Sequence, residues 1–257
     1  MMSSIALRSG KKAAVACNNC SLNELCLPRG LTAEELARLE EAIEKTVKIT
    51  KKNYLYRRDD QHFAIYAVKS GAIKISLSTS DGEEQILGFY LPGDLVGFDA
   101  LAHGRYSCDA QALEDTLVCE LKMDAFQGLC ASLPSMLNGM MRQVGIEIER
   151  EQYLLLTLGQ MRTEERLATF LLGISERNQQ RGFSRKEFYL PMPRHDLANY
   201  LGMAVETLSR MFSRLQEENM ISVRHRLIEI LDMDGLRSLA HHTCQTEANN
   251  YSHMARS

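Results

Sequence analysis

The sequence predicts an α+β protein in three parts: an N-terminal β-roll, one long helix and a C-terminal winged helix-turn-helix. Three observations carry that prediction. Between Val47 and Leu121 the chain runs in short β-type stretches broken by Asp81-Gly82, Pro92-Gly93-Asp94 and His103-Gly104, the pattern of a roll or jelly roll. From about Pro134 to Met161 apolar residues recur at helical spacing without a breaker. Beyond that, RHDLANYLGMAVETLSRMFSRLQEEN reads as two helices around a turn at Gly202.

A chain of 257 residues is comfortable for two domains. With 45% hydrophobic residues, 25% charged residues and a mean hydropathy of -0.23, it excludes disordered, collagen-like and membrane classes. It has no run of about 18 uncharged apolar residues, so no membrane span is expected. Arg8, Lys11 and Lys12 are followed only by Ala13 to Ala16 before Cys17, too short for a signal-peptide core. The expected compartment is cytoplasmic, where thiols stay reduced, and seven cysteines there point to metal or redox chemistry rather than to disulfides. A net charge of -3 excludes a global polycation, so any DNA contact must be local.

The expected division is a cysteine-rich segment (1–30), the roll (31–133), a dimerisation helix (134–162), a DNA-binding domain (163–245) and a flexible tail (246–257). The stretch CNNCSLNELC, closed by Pro28, reads as a loop. From Thr32, TAEELARLEEAIEKTV places Leu36, Leu39 and Ile43 at helical spacing behind a Thr32/Glu35 capping box. The β-type runs are KITKKNYLYR, HFAIYAVKSGAIKISLST, EEQILGFYL, DLVGF and DTLVCELK.

In the long helix, Leu137, Met141, Val144, Ile148, Glu151, Leu155 and Leu158 alternate spacings of four and three. That is a heptad seam, and its natural partner is a second copy of the chain. Glu151 is its exception: two ionised carboxylates facing each other oppose association and hold the homodimer near its balance point.

After the helix TEERLATFLLGISERN and the loop QQRGFSRKEFYLPMP comes the helix-turn-helix. In its second helix, Val205, Leu208, Phe212 and Leu215 form an apolar face, and Glu206, Ser209, Arg210 and Ser213 the opposite one. Arginine can chelate guanine, glutamate can accept from cytosine, and serine serves several bases, so this face suits double-stranded DNA. Thr207 and Arg214 on the same helix, with Arg224 and Arg226 on a wing formed by ISVRHRLIEIL, complete the expected contacts. Residues 185–226 hold 7 Lys+Arg against 5 Asp+Glu, a net of +2.

The strings EEQILGFYLPGDLVGFDAL, RGFSRKEFYLPMPRHDLANYLG and VETLSR, together with Cys17, Cys20, Cys26 and a later Cys108, resemble the Crp/Fnr superfamily, specifically its oxygen-responsive Fnr/Anr branch. The resemblance covers roughly residues 17 to 240. It implies a cyclic-nucleotide-binding-like jelly roll and one 4Fe-4S cluster per subunit on Cys17, Cys20, Cys26 and Cys108. It implies reading of TTGAT-N4-ATCAA-like inverted repeats by Glu206, Ser209 and Arg210, and anaerobic activation or repression of genes. RNA polymerase is the implied further partner, through surfaces resembling residues 177–184 and 80–84. Spacing alone leaves zinc open on the same sulfurs. Ser21 and Leu25 flank the ligands and are expected to screen the cluster. Cys119 and Cys130 read as small core residues and Cys244 as part of a polar tail. Arg105 and Ser107 are not adjacent, so the bidentate phosphate partner of a cyclic nucleotide is missing and none is expected to bind. The alternative function is a thiol-disulfide or other ligand-responsive regulator without a cluster. His62, His103 and His195 form no spaced constellation with cysteine or aspartate, which excludes an enzyme.

Overall fold

A computed structural model describes residues 17, 20–61 and 64–240. His62, Cys244 and the expected tail lie outside them. The chain divides into two compact units, Met1–Glu147 and Ile148–Ser257. None of the described helices is long and apolar enough to cross a membrane.

The described part of the first unit begins with turns and then α1 (Ala33–Ala42), whose capping box is present: Glu35 N–H donates to Thr32 Oγ1, and Thr32 N–H to a Glu35 carboxylate oxygen. The helix is shorter than its periodicity suggested. Ile43 opens β1 (Ile43–Ile49), because the β-branched residues Ile43, Thr46, Val47 and Ile49 pair along a whole edge of β8 (Thr116–Lys122). Between them come β2 (Tyr54–Tyr56), β3 (Ala64–Ser70), β4 (Ile73–Ser78), β5 (Glu84–Tyr90), β6 (Leu95–Val96) and β7 (Asp109–Ala112). Two four-stranded sheets result, β1-β8-β3-β6 and β2-β7-β4-β5, so the expected roll is present. The sequence run 62–79 read as one stretch is two strands in different sheets. Gly71, at φ 85, makes the change of sheet between β3 and β4.

Each strand presents one set of side chains to the interior of the roll and the other set outward. Tyr56, Tyr66, Val68, Ile73, Cys108, Ala110, Ala112 and Val118 fill the interior, with the rings of Tyr56 and Tyr106 stacked. A second cluster lies outside it, where Leu27, Leu39, Ile65, Leu121, Phe126 and Met136 bury the loop and α1 against α2 (Met123–Ser132) and the start of α3 (Pro134–Gln160).

The second unit contains α4 (Thr163–Gln180), β9 (Glu187–Tyr189), α5 (Arg194–Tyr200), α6 (Val205–Glu217), β10 (Ile221–Arg224), β11 (Leu227–Ile230) and α7 (Met233–Leu239). The three strands form one antiparallel sheet in the order β10-β11-β9. The expected loop 179–193 thus holds a strand, and α7 extends the fold beyond the wing.

Candidate functional site

Two sites emerge, one in each unit. In the first, a cavity of about 370 Å³ is lined by Cys17, Cys20, Cys26 and Cys119 among apolar walls that include Leu22, Leu27, Leu39, Ile65 and Leu121. Three of these thiols come from a run of turns held by short backbone hydrogen bonds, Cys20 N–H to Cys17 O at 3.1 Å and Cys26 N–H to Leu22 O at 3.0 Å. The fourth comes from the middle strand β8, where Cys119 pairs with Thr46 on one side and Ala67 on the other.

Cys108, expected as the fourth ligand, is not at this cavity. It shares a face with Ala110 and Ala112 and points into the interior of the roll, 3.6 Å from Ser107 Oγ. Strand alternation decides the matter: Thr116 and Val118 turn inward on β8, which leaves Cys119 and Leu121 facing the loop. Cys119, expected as a small core residue, lines the cavity instead, and Cys130 packs beside the outer cluster. The signal available in the sequence was the alternation around DTLVCELK.

Burial pushes the Cys17 thiol up to about 12, aided by Cys119, Glu40 and Cys20 and opposed by Lys69. Burial likewise raises Cys26 to about 12, against the pull of the Leu27 N–H. Burial raises Cys119 as well, and thiols such as Cys17, Cys26 and Cys119 that ionise reluctantly in an apolar pocket need a cation to hold them as thiolates. Among the described residues no three His, Cys, Asp or Glu side chains are drawn together closely enough to hold one metal ion. A zinc ion, with Zn–S bonds of about 2.3 Å, would bring its sulfurs to within about 3.8 Å of each other. Four sulfurs spread around a cavity suit a larger group, and a 4Fe-4S cluster takes four thiolates.

Ser21 lines the same cavity. Leu25 covers Gly93, which sits at φ 95 and where an added Cβ would come 3.0 Å from Leu25 Cβ. The Leu25 carbonyl also accepts from Gln143 of α3 at 3.5 Å, and Leu27 is buried with Met136. The cysteine loop is thereby seated on the first half of the long helix.

Most of the stripe expected on that helix is exposed. Leu137, Met141, Ile148 and Leu155 are 44, 62, 48 and 72% exposed in the single chain, Glu151 is exposed beside them, and Val144 is half-buried. Leu158 departs from the expectation: it packs beneath the turn at Gly202, where an added Cβ would meet it at 2.9 Å.

In the second unit, Leu208, Phe212 and Leu215 are buried, while Glu206, Ser209, Arg210 and Ser213 are exposed on the opposite face of α6. Val205, expected on the apolar face, is instead 39% exposed at the first turn. Ser209 Oγ donates to the Val205 carbonyl at 2.9 Å and Arg210 Nε to the Glu206 carbonyl at 3.4 Å. Thr207 is half-buried to one side. Arg214 does not stand free for DNA, since it is ion-paired to Glu164 of α4 and, at 2.8 Å, to Glu218. At the wing, Arg224 is exposed and His225 turns the hairpin at φ 58. Arg226 is half-buried and donates to the Pro191 carbonyl at 3.0 Å, so its guanidinium braces the hairpin.

Comparison with known proteins places these features. The Crp-like helix-turn-helix domain matches residues 165–239 and the cyclic nucleotide-binding domain residues 46–132. The chain is 43% identical to the fumarate and nitrate reduction regulatory protein of Escherichia coli (strain K12), over 90% of this chain and 92% of that one. It is 42% identical to the anaerobic regulatory protein of Haemophilus influenzae, again over 90% of this chain and 92% of the relative. Among solved structures it resembles FixK2 from Bradyrhizobium japonicum, with a TM-score of 0.71 and 28% identity over 76% of this chain and 96% of that one. These relatives are regulators, not enzymes. The chain belongs to the Crp/Fnr family of DNA-binding transcription regulators, among the relatives of the fumarate and nitrate reduction regulatory proteins.

Proposed function

We propose that this protein is an oxygen-responsive, dimeric regulator of anaerobic genes whose sensor is a 4Fe-4S cluster held by Cys17, Cys20, Cys26 and Cys119. The observation that carries the reading is the meeting of these four thiols, and not Cys108, on one apolar cavity. The relatives' names supply the anaerobic context. When bound, such a cluster supplies redox chemistry that oxygen can disrupt.

The rest belongs to the chain's own residues. Three cysteines on the turns and one on β8 tie the loop to the sheet, with Ser21 and Leu25 screening the pocket. A loop so held packs Leu27 on α3 and favours the arrangement in which the seam meets a second copy. Glu151 keeps that association weak enough to respond. In the dimer, Glu206, Ser209 and Arg210 of each copy read half-sites of a TTGAT-N4-ATCAA-like inverted repeat. Arg224 meets phosphates, while Arg214 and Arg226 hold the head in shape. The exposed residues of 177–184, Phe183 foremost, and of the turn 80–84 offer surfaces to RNA polymerase. No cyclic nucleotide takes part: Arg105 donates to the Asp59 carbonyl and Ser107 to Asp99, and tyrosine rings occupy the roll.

The test is iron and acid-labile sulfide on anaerobically purified protein, with the visible spectrum followed as air enters. About four of each per chain are expected, with absorbance that bleaches in air. Cys119→Ala should lose both and Cys108→Ala should keep them. The reverse pattern would restore Cys108 as ligand. Iron-free protein whose DNA binding recovers with a dithiol would move the function to thiol-disulfide exchange.

A further inference from the structure

Arg166 occupies the first turn of α4, where a cation opposes its own helix dipole. Its guanidinium is directed elsewhere. Nη2 donates to the Leu158 carbonyl at 2.8 Å and Nε to the Met161 carbonyl at 2.9 Å. Nη1 donates to the carbonyls of Leu201 and Gly202 at 3.0 and 3.2 Å. Leu158 lies in the last turn of α3, with Met161 just beyond it, and Leu201 and Gly202 follow α5. Carbonyls at such ends lack a helical partner and carry the negative end of the dipole, so one cation caps two helices at once. A second contact joins the same two places: Gly202, at φ 60, leaves room for Leu158 Cδ2, which an added Cβ would meet at 2.9 Å.

We propose that Arg166 is a positioning residue that clamps the helix-turn-helix turn to the end of α3 and so sets the half-site spacing this regulator accepts. The inference rests on the reading of α3 as the dimer seam and α6 as the DNA reader. α6 starts three residues after Gly202, so the turn sets its direction. In a two-fold dimer the distance between reading helices must match about one turn of DNA. A clamp on four carbonyls keeps each head at a fixed angle to its own stretch of seam, and a loosened clamp lets the heads adapt to wrong spacings. Lysine can replace it only in part, because an ammonium presents three donors from one point and not a planar fork.

The experiment uses the full chain, purified anaerobically, and duplexes carrying the inverted repeat with spacers of roughly three to six base pairs, plus a single half-site. Wild type should favour one spacer by about tenfold or more over its neighbours. Arg166→Gln should reduce that preference to about threefold or less, while sedimentation and half-site affinity stay within about twofold of wild type. Arg166→Lys should fall between. Unchanged spacer preference in Arg166→Gln overturns the inference. Wild type that binds every spacer and the half-site alike overturns the dimeric-reader reading beneath it. If Arg166→Gln fails to fold, Arg166→Lys and Gly202→Ala strain the same joint from its two sides, and wild-type spacer preference in both overturns the clamp.

Discussion

At Gly71 the chain leaves one sheet for the other, and an added Cβ would fall 2.7 Å from Thr116 Cα and 2.8 Å from the Asp115 carbonyl. Both obstacles are backbone, and φ is 85, so neither rotation nor a small shift relieves them. Gly71→Ala should cost about 3 kcal/mol, read as a lower urea midpoint with unchanged slope. Glu176 gives a pH-dependent case. Its burial raises the carboxyl above the ordinary range, while Arg185 and Arg237 pull the other way. A raised carboxyl supports the fold below its unfolded pKa and loses that support as pH climbs through the folded value. Glu176→Gln should therefore raise the melting temperature at pH 7, and the gain should vanish towards pH 4; an equal gain at both pH values would refute the assignment. The cysteines show what single residues disclose. The Cys17, Cys20 and Cys26 spacing was legible, because all three ride one short loop. Which of Cys108 and Cys119 lines the cavity depends on which face of each strand turns outward, and that is set by pairing with residues some fifty to seventy positions away.

Among elements, the long ones announced themselves. α3 and α6 each carry enough periodic residues for their faces to be read directly, and Leu137, Met141, Ile148, Glu151 and Leu155 of the expected stripe are exposed on α3. The short ones did not. β7 has four residues with only Ala110 and Ala112 facing inward, β9 has three, and α7 has seven held by an Asp232 cap, so packing rather than propensity makes them. The seam yields two opposed expectations. Leu155→Glu places a charge on its most exposed apolar position and should leave a monomer in sedimentation velocity. Glu151→Ala should strengthen the dimer by about 1 kcal/mol, roughly fivefold in Kd. An unchanged dimer in both variants would mean that α3 meets something other than itself.

For the whole molecule, sensing and reading are linked if they shift one equilibrium. Removing iron anaerobically should lower operator affinity and the dimer fraction together, measured by anisotropy and sedimentation on the same samples. Loss of DNA binding from a chain that stays dimeric would show that the seam is not the relay. The placement of Cys119 has one more consequence. It stands on a strand bonded on both sides, whereas Cys17, Cys20 and Cys26 sit on turns. With Cys119 as the proposed fourth ligand, the grip would be built like a hasp, a fixed staple and a swinging arm. Such a fastening opens by local unfolding of the arm alone, leaving the staple in register for the next closure. In the iron-free protein, amides of residues 20–31 should exchange with deuterium fast and those of 117–121 slowly, so that one polypeptide can be disarmed and rearmed many times without ever being remade.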